Sequence, residues 1–115
     1  MSDLNKKLET LSLQFSNHQS SLNDLIASRS TLETQYQENK IVEQEFTNLS
    51  ESDKIYKLTG PVLLPQDYAE ASMNVNKRIE FITGEIKRVE TKIEVEEGEM
   101  EKIRGEIIAL RTQQS

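Results

Sequence analysis

The sequence contains no cysteine and no tryptophan, a single histidine (His18), two prolines and four glycines. Each shortage removes a class of protein. Without cysteine there is no disulfide framework, no thiolate nucleophile and no Cys-based zinc site. One histidine cannot build a histidine-rich metal site, and the H-E-x-x-H pattern is absent. No apolar run approaches the roughly 18 residues that a membrane helix needs. The opening MSDLNKKLET lacks the apolar stretch of a signal peptide. Charge of one sign is also short: 14 Lys and Arg stand against 20 Asp and Glu, a formal charge of -6. That balance argues against nucleic-acid binding, which needs a cationic field. No G-x-x-x-x-G-K-[ST] loop offers a phosphate cradle, so neither a cofactor nor ATP hydrolysis is expected. The expectation is a soluble intracellular protein that is not an enzyme. Asn48-Leu49-Ser50 is then a chance match to a glycosylation acceptor.

What is present is sparse apolar material in a strict order. The 115 residues allow one domain. Leu, Ile, Val and Phe make up roughly a quarter of them, above the roughly one fifth below which chains tend to stay disordered. With only 35% hydrophobic residues overall, an elongated helical protein fits better than a compact globule.

From Leu4 to Tyr36, alternating steps of four and three select Leu4, Leu8, Leu11, Phe15, His18, Leu22, Leu25, Arg29, Leu32 and Tyr36. All but His18 and Arg29 are apolar. The pattern then meets Asn39, and a slip is expected because Val42, Phe46 and Leu49 read out of phase. No Gly or Pro precedes residue 60, so one helix over about residues 3–52 is predicted, capped by Ser2 or Asp3. The second arm reads Tyr68, Ser72, Val75, Ile79, Ile82, Ile86, Val89, Ile93, Glu96, Met100, Ile103, Ile107 and Leu110. Only Ser72 and Glu96 are polar, which marks a coiled-coil seam in a helix over about 66–113. Asp67 with Glu70 resembles a capping box. Gly84, Gly98 and Gly105 lie off the seam, each at a cost of up to about 1 kcal/mol of helix stability.

Between the arms, residues 54–65 are apolar and β-branched around Gly60-Pro61, the mark of a short β-hairpin that Pro65 ends. The predicted fold is therefore mainly α: a long antiparallel two-helix coiled coil joined by one short β-hairpin. Its register would pair Leu8 with Leu110, Leu11 with Ile107, Phe15 with Ile103, Leu25 with Ile93, Leu32 with Ile86 and Tyr36 with Ile82. His18 would face Met100, and Glu96 would face Leu22. Registers one heptad away also preserve the pairing, but the position of the turn favours this one.

A two-stranded hairpin is marginal in water. Ile55, Tyr56, Leu58, Val62, Leu63 and Leu64 give this one apolar side chains on both faces, and its two edges are open. No other segment is strand-like, so the missing strands must come from other chains, with residues 54–65 as the assembly element. At the opposite end Leu4, Leu8, Leu11, Leu13 and Phe15 approach Ile107, Ile108 and Leu110. Leu13 and Ile108 fall outside the seam. They read either as scattered surface apolars or as part of a tip that grips apolar surface on another protein.

Other residues have plainer readings. His18 reads as a tolerated polar layer rather than a ligand. Arg29 and Asn39 either fix register and partner choice or are simply tolerated. Glu94, Glu96, Glu97, Glu99 and Glu101 read as a solvated helix face, or as a contact for a basic patch. Lys87 and Arg88 read as solvating charges.

Taken together, the chain resembles prefoldin, specifically its β-type subunits with one hairpin each. The likeness is densest in Lys54-Ile55-Tyr56-Lys57-Leu58-Thr59-Gly60-Pro61-Val62-Leu63-Leu64. It continues through Gln66-Asp67, Ala71, Asn76-Lys77-Arg78-Ile79-Glu80-Phe81-Ile82 and Glu85-Ile86-Lys87-Arg88. In the first arm it takes in Leu22-Asn23-Asp24-Leu25-Ile26-Ala27-Ser28-Arg29 and Glu38-Asn39-Lys40-Ile41-Val42. Pro65 departs from the pattern and bears only on the strand-helix junction. The resemblance implies a hexamer in which this chain joins two α-type and three further β-type subunits, their hairpins forming intersubunit β-barrels. It implies an ATP-independent cytoplasmic chaperone that holds unfolded or nascent clients of the actin and tubulin class at its tips. It also implies delivery to the cytosolic chaperonin, with no nucleic acid and no membrane involved. The alternative is a structural coiled-coil scaffold or tether without holding activity.

Overall fold

The computed structural model of the chain describes residues 2–51 and 65–114. Both stretches are helical: α1 spans Ser2–Glu51 and α2 spans Pro65–Gln114. Residues 54–64 of the expected hairpin, and with them the expected barrel, lie outside the described residues. α1 starts at Ser2, which sets Asp3 in the first turn, where a carboxylate meets the positive end of the helix dipole. α2 starts at Pro65, whose fixed φ and missing N–H suit a first turn. Asp67 therefore lies inside the helix rather than ahead of it.

The described residues fall into two units. One combines α1 up to Arg29 with α2 from Arg88 onward. In it the helices run antiparallel, since His18 meets Glu96 whereas the later Arg29 meets the earlier Glu90. Leu22, Met100 and Ile103 are its buried core. Leu4, Leu8, Leu11, Phe15, Leu25, Val89, Ile93, Ile107 and Leu110 are half-buried beside them. Arg29, by contrast, is exposed and has left the seam.

The other unit runs from Ser30 to Lys87. Val75, Ile79 and Ile82 are its buried core, with Leu32, Tyr36, Phe46, Tyr68 and Ile86 half-buried. Phe46 and Tyr68 meet edge to face, ring centroids 5.3 Å apart, and the Tyr68 hydroxyl donates to the Phe46 carbonyl. Here the structure corrects one expectation. Asn39, Glu43 and Phe46 are half-buried and continue the alternation without a slip, while Val42 is 37% exposed. The unbroken phase keeps Phe46 on the seam, and the polar seam groups are satisfied within α1. Asn39 Nδ2 donates to the Gln35 carbonyl at 2.7 Å. Lys40 Nζ donates to Glu43 Oε1 at 3.1 Å and lies 5.9 Å from the centre of the Tyr36 ring.

Every seam position of α2 from Tyr68 to Leu110 is buried or half-buried. Among the described residues, no side chain is fully enclosed. A seam between two helices covers one stripe of each and leaves its edges open. That open edge is where the site forms.

Candidate functional site

Residues that immediately precede seam positions lie along one flank of each helix, because the seam repeats every 3.5 residues. In the first unit the flanks of both helices share one side. Thr10 and Gln14 of α1, which precede Leu11 and Phe15, line a groove with Glu106 and Ala109 of α2, which precede Ile107 and Leu110. Thr10 and Ala109 are short, so the seam residues Leu11 and Leu110 form an uncovered floor. Thr10 turns its hydroxyl back onto the Lys6 carbonyl, 2.9 Å away, and so satisfies it locally. Lys6 and Lys7 complete the wall of this groove, about 640 Å³ in volume. Among the described residues, Lys6, Lys7 and Glu106 form no ion pair.

A second groove of about 430 Å³ lies on the same side of this unit. Ser21, Asp24, Leu25 and Ser28 line it from α1, and Thr91, Lys92, Val95 and Glu96 from α2. The two linings agree with a register that sets Leu11 near Ile107 and Leu25 near Ile93.

The residues expected to form the tip do not share one surface. Leu4, Leu8, Leu11, Phe15, Ile107 and Leu110 sit in the seam, and of these Leu11 and Leu110 line the terminal groove. Leu13 and Ile108 are 62% and 53% exposed, yet neither lines it. Helical spacing explains this: Leu13 lies two residues past a seam position, on the back of α1, and Ile108 one residue past, on the other flank of α2. Sequence reasoning missed Lys6, Lys7, Thr10, Gln14, Glu106 and Ala109. The available signal was the short residue at matching flank positions of both helices.

His18 also meets a residue outside its expected layer with Met100. His18 Nδ1 stands 2.6 Å from Glu96 Oε2, so the two polar seam residues satisfy each other across the helices. Arg29 reaches Glu90 at 3.5 Å and Arg104 reaches Glu101 at 3.4 Å, both exposed and of small energetic weight. In the second unit, the Glu43 carboxylate holds the Lys40 ammonium above its ordinary pKa, through their hydrogen bond and its charge. Among the described residues, no group of three His, Cys, Asp or Glu could hold a metal ion, and no helix is long and apolar enough to cross a membrane.

Two long helices, each with a buried stripe at steps of four and three, place the chain among mainly helical, coiled-coil-like proteins. The family profile described as "Prefoldin subunit" matches residues 2–114, and the chain belongs to that family. It is similar to prefoldin subunit 6 of Saccharomyces cerevisiae, at 48% identity over 96% of this chain and 90% of that one. Probable prefoldin subunit 6 of Drosophila melanogaster is 40% identical, covering 96% and 88% of the two chains. For prefoldin subunit 6 of Homo sapiens the identity is 36%, over 94% and 84%. No solved structure matches.

Proposed function

We propose that this chain is a subunit-6-type component of a hetero-hexameric holding chaperone. It would act without ATP in the cytoplasm, as one domain over residues 1–115. Two α-type and three further β-type subunits would be its partners, joined through the 54–65 hairpins in β-barrels. Unfolded clients of the actin and tubulin class would be captured in the first unit and passed to the cytosolic chaperonin.

One observation carries the capture step. The terminal groove leaves the Leu11 and Leu110 floor uncovered, and the same unit exposes Leu13 and Ile108. Apolar contact gains roughly 25 cal/mol for each Å² buried, before the cost of association. A shallow groove thus holds a client weakly and reads little of its sequence. Several such sites acting on one client raise the effective affinity without preventing release.

The test is an aggregation assay with the reconstituted complex and chemically denatured actin, in the absence of nucleotide. The complex should keep actin soluble. Ala109→Trp, which fills the groove, combined with Leu13→Ser and Ile108→Ser should reduce that protection while native mass spectrometry still shows six chains. Actin that aggregates as fast with the intact complex as without it would favour the scaffold reading.

A further inference from the structure

We infer that the terminal groove sorts client segments by charge, taking apolar side chains flanked by carboxylates in preference to those flanked by basic residues. This rests on the client-binding reading above and adds the chemistry of the segment. The floor of Leu11 and Leu110 selects only for apolar character. Selection by charge comes from the wall, where Lys6 and Lys7 face the single carboxylate of Glu106, none of them in an ion pair among the described residues. Lysine stems extend the apolar floor while their ammonium groups stay in water at the mouth. The mouth is thus locally cationic in a chain whose formal charge is -6.

The second groove on the same side has the opposite balance. Asp24 and Glu96 there outnumber Lys92, and the exposed Glu99, which precedes the seam residue Met100, continues the same flank of α2. Leu11 and Leu25 mark the two floors and lie about 21 Å apart along α1 at 1.5 Å per residue. That exceeds a Debye length of about 8 Å at physiological salt, so each groove presents its own field. An acidic segment is repelled along the acidic stretch and attracted at the terminal groove. A basic segment meets the reverse.

Two exposed charge pairs of this kind correspond to a preference of roughly two- to tenfold in affinity at low salt. The chain has no cysteine, so an Asn17→Cys variant can carry one environment-sensitive dye on the groove side. The full hexamer would be titrated with two synthetic unfolded peptides that share their Leu and Phe anchors. One carries flanking aspartates, the other flanking lysines. The aspartate peptide should bind two- to tenfold tighter, with the preference fading as salt rises. Lys6→Gln with Lys7→Gln should erase the preference, and Lys6→Glu with Lys7→Glu should reverse it.

Equal affinity for the two peptides, or a preference that survives charge reversal, overturns charge sorting. If Ala109→Trp then weakens both peptides alike, capture at the groove still stands. If neither peptide reaches the dye in a complex that does protect denatured actin, the groove is not the capture site and charge sorting falls with it, while the holding activity stands.

Discussion

His18 Nδ1 and Glu96 Oε2 stand 2.6 Å apart across α1 and α2, two polar side chains at seam positions with 31% and 22% of their surface exposed. Each answers the other, which separates this layer from the Asn39 and Glu43 positions, where α1 satisfies its own polar groups. Removing one partner leaves the other half-buried and unpaired, at about 1 kcal/mol or somewhat more. Replacing both by leucine restores an apolar layer and should be nearly neutral or stabilising. Amide hydrogen exchange in the helical segments around residues 18 and 96 would show faster exchange in His18→Leu and in Glu96→Leu, and protection in the double variant. Singles no worse than the double would mean that the bond contributes nothing.

Burial separates two isoleucines of α2 that a hydropathy plot treats alike. Ile82 is buried in the second unit, whereas Ile108 is mostly exposed in the first. Ile82→Ala removes packed methyl groups and should cost about 2–5 kcal/mol, at the low end because a two-helix seam can partly close. Ile108→Ala should stay within about 0.5 kcal/mol. Thermal unfolding followed by helical circular dichroism measures both, and similar losses would contradict this placement of the seam.

Gly98 and Gly105 are in mid-helix with no atom within 4 Å of where a β-carbon would sit. Nothing in the packing therefore opposes alanine. Gly98→Ala and Gly105→Ala should each stabilise the chain by up to about 1 kcal/mol, largely by restricting the unfolded state. The midpoint of thermal unfolding should rise for each and add for the pair, because the two sites are about 10 Å apart along the helix. A fall in either midpoint would show that the glycine serves a contact outside this chain.

The seam was legible because steps of four and three need only hydropathy and order. Every α2 position read from Tyr68 to Leu110 is at least half-buried. The expected slip near Val42 arose because hydropathy ranks valine above Glu43. An unbroken helical phase decides otherwise once Lys40 and Gln35 satisfy the polar groups. The site was harder to read. Leu13 and Ile108 stood out as off-seam apolars, but leucine and isoleucine do not make a groove. Thr10 and Ala109 make it by being short, and their effect depends on two flanks meeting across the seam. Single-helix patterning carries no such information.

The assembly prediction turns on residues 54–64, outside the described residues. Six apolar side chains, Ile55, Tyr56, Leu58, Val62, Leu63 and Leu64, flank Gly60-Pro61 in a segment too short for a core of its own. As a hairpin it would carry apolar side chains on both faces and leave two edges uncovered, and open edges pair with strands from other chains. Leu58→Ser with Val62→Ser keeps the backbone but weakens the face. Co-expressed with the other subunits, the variant should be lost from the six-chain species in native mass spectrometry. The Leu13→Ser, Ile108→Ser variant should be retained, because its changes lie in the other helical unit. Dilution provides a second reading of the same physics. An isolated chain that borrows strands should lose helical signal as its concentration falls, since its stability is tied to association. Retention of the hairpin variant in the complex at the wild-type level would place the subunit interface elsewhere in the chain.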